Sequence, residues 1–279
     1  EAVQTAALMA IGLAGALMIA QRTGTGAVLL QLTLAPLAVA SYAVAFMHRE
    51  WHARARNYYF YTTLALVFAL AGGARLMGNA PAGLVWALVA LGMTWLARRY
   101  GRSTPQVHAI VYLLVGAWTT GLVTAIFAAL LAPAGTAPVA VPATGWLVAA
   151  AVMVCWWMAA AGRPRTMISF FLVIVAAGAG VILTRPWLLP NVDAALEAPL
   201  LATTRTAIVA AVAVLVAWLG TRAPTREFRW LLYPTLGWGF LKLVIEDFRV
   251  SPPSLLFVAL ALYGGALIVA PRLAKRSTS

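Results

Sequence analysis

The chain has 279 residues, 63% of them hydrophobic and only 10% charged, and carries 20 Lys and Arg against 7 Asp and Glu. A soluble domain is close to one quarter charged, so this composition excludes a water-soluble enzyme. The net charge of +13 does not point to nucleic acid either, because the basic residues are scattered between long apolar runs.

A membrane-spanning helix needs about 20 mostly apolar residues. Ten such segments are predicted: 3–20, 25–47, 58–74, 80–97, 108–131, 143–161, 167–184, 204–220, 230–247 and 254–271. They leave room for short loops and no soluble domain. The expected architecture is all-α, a polytopic transmembrane helix bundle in which residues 1–279 form a single transmembrane domain. Segment 3–20 reads as a membrane helix and not as a signal peptide. It lacks a basic leading region, and Gln21-Arg22 stands where small cleavage-site residues belong.

In the second segment Pro36 lies near Gln31 and Thr33. A mid-membrane proline frees a backbone carbonyl, so Pro36 is a candidate helix break. Gln31 would then either bridge two helices or line a polar pathway. His48 and His52, four apart, follow beside Arg49, Arg54 and Arg56. With His108 they are expected at the interface and not as haem, pigment or zinc ligands. The fifth segment runs into an uncharged Pro/Gly/Ala stretch from Ala132 to Gly145 that reads as a turn region. The lone cysteine, Cys155, sits in an apolar run, where a small buried side chain is expected. Residues Pro186 to Thr203 form the longest outer loop, with Asp193 and Glu197 in a short surface or re-entrant helix.

The ninth segment is the most unusual. Pro234, Gly237 and Gly239 are expected to loosen or break it, and Lys242, Glu246, Asp247 and Arg249 crowd its end. Lys242 and Glu246 are four apart and share a helix face. Two readings follow. Lys242 snorkels to the interface and pairs with Glu246, or the four charges, with Gln31, form a polar site inside the membrane for protons, ions or a headgroup.

Arginines in alternate loops are strongly biased to one side. Arg49, Arg54, Arg56, Arg98, Arg99, Arg102, Arg163, Arg165, Arg222, Arg226, Arg229, Arg272, Lys275 and Arg276 fall on the side shared with both ends of the chain. Arg22, Arg75, Arg185, Arg205 and Arg249 fall on the other. The positive-inside rule then places both termini in the cytoplasm of a bacterial inner membrane. Trp95, Trp157 and Trp218 recur about 60 residues apart before basic turns, as a two-helix hairpin repeat would produce. Small residues one turn apart, at Ala10/Ala14, Gly12/Ala16, Ala176 to Gly180 and Ala261/Gly265, are candidate helix contacts.

The last hairpin runs Leu241-Lys242 to Glu246-Asp247-Phe248, then Leu255 to Gly265 and a basic tail. It resembles the terminal hairpin of a family of uncharacterised bacterial polytopic membrane proteins built of repeated helix hairpins. That resemblance implies a helical array and no assigned activity. Ten helices with both ends inside also resemble the drug/metabolite transporter superfamily, which implies carriage of a small molecule or lipid. The expectation is a non-enzymatic structural or accessory subunit of a larger membrane complex. It would be surrounded by bound lipids and contact other membrane subunits or copies of itself. No catalytic residue, metal, other cofactor or nucleic acid is expected. The alternative is a ten-helix small-molecule or lipid transporter.

Overall fold

The computed structural model describes residues 25–47, 55–76, 79–133, 136, 139–188, 192–222 and 227–275. Among these residues there are ten helices and no strand. They are α1 (Thr25–Met47), α2 (Ala55–Leu76), α3 (Asn79–Tyr100), α4 (Ser103–Thr119), α5 (Leu122–Leu131), α6 (Ala143–Met158), α7 (Arg163–Leu188), α8 (Ala194–Gly220), α9 (Phe228–Lys242) and α10 (Pro253–Lys275). A π-helical turn, Leu243–Asp247, and a last turn, Phe248–Val250, prolong α9. Segment 3–20, His48 and His52 lie outside the described residues, as do Ala10, Gly12, Ala14 and Ala16.

Among the described residues four stretches are long and apolar enough to cross a membrane: Pro81–Tyr100, Arg163–Leu188, Ala195–Gly220 and Pro253–Ala274. Ser103–Thr119 and Leu122–Leu131 qualify only as a pair, which raises the number to five. Their break explains why one predicted segment became two helices. Gly121 adopts φ 74, the left-handed region that glycine enters without a Cβ penalty. Other predicted segments appear as shorter apolar helices, Thr33–Ala45, Tyr58–Ala71 and Ala143–Met158.

The helices group into two compact units, Glu1–Thr119 and Thr120–Ser279. In the first unit α1 packs on α2 and α3 on α4. Leu34, Ala38 and Phe68 form one apolar cluster between α1 and α2. Between α3 and α4 the backbones come close because the contact residues are small. A Cβ added at Gly116 would stand 3.0 Å from the carbonyl oxygen of Gly83. Trp86 and Tyr112 stack there with centroids 5.4 Å apart. The hydroxyl of Tyr42 reaches into this pair from α1, 3.0 Å from the Tyr112 hydroxyl and 3.0 Å from His108 Nδ1. His108 is therefore buried within the protein and hydrogen-bonded. Pro36 lies within α1, which continues through it. Gln31 is in the same helix, but its side chain is outside those described.

In the second unit α8 is the central element, packed by α7, α9 and α10. The predicted outer loop has largely vanished into helices. α7 runs on to Leu188, and α8 begins at Ala194, with Asp193 as its N-cap residue and Glu197 in its first turn. The residues up to Thr203 are thus the first turns of a long span, not a separate surface helix. Small residues again allow close approach, since lipid supplies no hydrophobic force between helices and association relies on packing. A Cβ at Gly178 would meet Ile126 at 2.6 Å, and one at Gly180 would meet Ile208 at 2.8 Å. The predicted Ala176–Gly180 face is therefore a contact. The predicted Ala261/Gly265 face is exposed, and α10 instead buries Ala259, Tyr263, Ala266 and Ala270. Cys155 is buried in α6.

Candidate functional site: a buried ionic network

The irregular end of α9 meets α8 in an ionic network, and each helix contributes by a different local device. α9 stays helical through Pro234 and Gly237, both exposed. Gly239 faces inward, where the Tyr263 ring and Val209 leave no space for a side chain. The departure from α geometry comes later, at the π turn Leu243–Asp247. In an α-helix residues three and four apart share a face. The π turn accommodates one residue more, so Asp247 rather than Glu246 comes under Lys242. Such turns are frequent at functional sites.

Lys242 is buried and does not snorkel. Its ammonium donates to the Ala202 carbonyl at 2.6 Å, to Thr206 Oγ1 at 2.7 Å and to Asp247 Oδ2 at 2.8 Å. Thr206 in turn donates to Asp247 Oδ2 at 2.7 Å. Glu246, the partner expected from spacing, stands 3.4 Å from Lys242 and is bound more closely by Arg205 at 2.7 Å. Asp247 is fully buried, whereas the Glu246 side chain is 25% exposed. Glu246 is therefore the network's opening to its surroundings.

Arg205 uses its whole guanidinium fork. Besides Glu246 it donates from Nε to the Ala129 carbonyl and from Nη2 to the Ala132 carbonyl, both at 2.7 Å. Those carbonyls end α5, where the last backbone acceptors lack helical partners and the helix dipole favours a cation. Arg205 thus caps α5, anchors α8 and binds the end of α9. Two cations and two anions meet in the network, so its formal charge is zero.

Of the predicted site residues, Lys242, Glu246 and Asp247 come together. Arg249 is exposed on the last turn and has no part in the network. Gln31 belongs to the first unit. Arg205, Thr206 and the Ala202 carbonyl were not anticipated. Arg205 reads in the sequence as an arginine at the outer edge of segment 204–220, just after the loop that ends at Thr203. The structure places it inside α8 and 3% exposed. The available signal was that Leu200-Leu201-Ala202 precedes these polar residues, so an apolar helix could run through them.

A second ionic contact holds the other end of α9. Glu227, just before the helix, binds Arg165 Nε at 2.9 Å and accepts from Trp156 Nε1 at 3.3 Å. Trp156 also packs edge-on against Phe228. Among the described residues no group of three or more His, Cys, Asp or Glu could hold a metal ion. No protein-family model, curated protein or solved structure matches the chain.

Proposed function

We propose that this chain is a non-enzymatic structural or accessory component of a larger membrane complex. One observation carries this reading. The charged groups at the junction of α5, α8 and α9 neutralise one another, and Lys242 and Arg205 spend their donors on protein acceptors. Such a network is built to hold helices and keeps no free charge for a cargo. Ionisable residues in a membrane are otherwise costly and mark pathways. The arginine asymmetry supports a bacterial inner membrane with both termini inside, and the tryptophan spacing supports repeated hairpins.

The test is purification from native membrane in a mild detergent, followed by native mass measurement. Companion subunits in fixed proportion are expected. A homogeneous monomer with saturable substrate binding refutes the proposal. Transport is the second reading, favoured by the partial exposure of Glu246 beside buried Lys242. Under it, Lys242→Ala and Glu246→Ala abolish uptake into liposomes. Under the structural reading, liposomes bearing the unaltered chain show no carrier-dependent uptake.

A further inference from the structure

The ionic network satisfies every atom it uses, but three polar atoms beside it have no partner. Asp247 Oδ1, Thr203 Oγ1 and Ser251 Oγ are all shut off from the surface and unbonded. Their places in the fold are related. Thr203 lies three residues before Thr206, hence on the same side of α8, and Thr206 holds the other oxygen of Asp247. Ser251 follows Asp247 by one turn and donates its backbone N–H to the Asp247 carbonyl at 3.0 Å. The two helices run antiparallel, so a turn toward the start of α8 and a turn past Asp247 lead in the same direction. Asp247 is 0% exposed and Thr203 6%. Ser251 is half-buried with its hydroxyl oxygen covered. Buried polar atoms are nearly always hydrogen-bonded, so three left over at neighbouring turns call for a shared partner.

We infer that Asp247 Oδ1, Thr203 Oγ1 and Ser251 Oγ bind a neutral, water-sized ligand, an internal water. Charge decides the class. The network is already neutral, so a bound cation would leave an uncompensated positive charge among apolar helices. An anion is turned away by the carboxylate. A water donates to Asp247 Oδ1 and accepts from the two hydroxyls, within the two to four partners such waters usually have. It completes the second oxygen of Asp247, whose first oxygen already receives Lys242 and Thr206. The inference concerns this junction alone and does not rest on the proposed function.

Thr203→Val tests it, because the substitution keeps shape and removes only the hydroxyl. If a water is bound, the melting temperature of the full chain in nanodiscs falls by about 2–4 °C, as loss of one hydrogen bond requires. If Thr203 Oγ1 is truly unpartnered, its removal relieves a buried polar atom. An unchanged or raised melting temperature overturns the inference. Ser251→Ala is expected to lower it likewise, and no loss there also overturns the three-atom site. A density map of the unaltered chain near 2 Å resolution should show a peak about 2.6–3.2 Å from Asp247 Oδ1 and Thr203 Oγ1. No peak overturns it. Exchange of sodium for choline should leave the melting temperature unchanged, and a sodium-dependent shift would assign the site to a cation instead.

Discussion

Lys242→Met is the sharpest perturbation of the ionic network. Methionine replaces the stem of the lysine but supplies none of its three hydrogen bonds, to Ala202, Thr206 and Asp247. Asp247 then remains fully buried, with the Thr206 hydroxyl as its remaining side-chain donor and no cation beside it. Removing one partner of a buried pair costs about 3–5 kcal/mol, chiefly because the other charge is stranded. At about 2–4 °C per kcal/mol for a unit of this size, the melting temperature should fall by about 6–20 °C. The double variant Lys242→Met/Asp247→Leu removes both charges and should recover most of that loss, since apolar replacement of a whole buried pair is close to neutral. The assay is thermal unfolding in detergent, followed by tryptophan fluorescence. Two results refute the reasoning. One is a single variant within about 1 kcal/mol of the parent. The other is a double variant no more stable than the single, which would mean that the stranded carboxylate is not the source of the cost.

Other expectations follow from local geometry. Arg205→Lys should destabilise by about 1–3 kcal/mol in the same assay, because one ammonium cannot reproduce the planar fork that joins Ala129, Ala132 and Glu246. A smaller loss than Arg205→Met is expected, and equal losses would show that charge contributes nothing there. Gly178→Ala should cost about 1–3 kcal/mol, since the new methyl meets the branched base of Ile126. Gly237→Ala, with nothing within 4 Å, should be neutral or stabilise by up to about 1 kcal/mol. Tyr42→Phe removes the hydroxyl shared by His108 and Tyr112 and should cost about 1–3 kcal/mol, read as faster proteolysis within the first unit.

Much of the fold is legible along the chain because a membrane makes local composition decisive. Any segment in lipid must satisfy its own backbone hydrogen bonds, so a long apolar run becomes a helix whatever it packs against. Segments 25–47, 80–97 and 254–271 are found as helices close to those limits. The break at Gly121 and the absorption of Pro186–Thr203 into α7 and α8 are less legible. Both depend on which polar or flexible residues the packed neighbours tolerate. The predicted loop ends at Thr203, yet that residue lies inside α8, which carries Arg205 to its acceptors on α5 and α9.

A composition 63% hydrophobic and only 10% charged was enough to establish an apolar, helical chain. The sequence also singled out Lys242, Glu246 and Asp247, because charges within one helix turn are visible as neighbours in the chain. What only the tertiary structure decided is how those charges pair. The π turn moves Asp247 under Lys242, and Arg205 arrives from 41 residues away to take Glu246. Periodicity reports which residues share a helix face. It does not report a widened turn or a cation delivered by another helix, and those two facts set the electrostatics of the site.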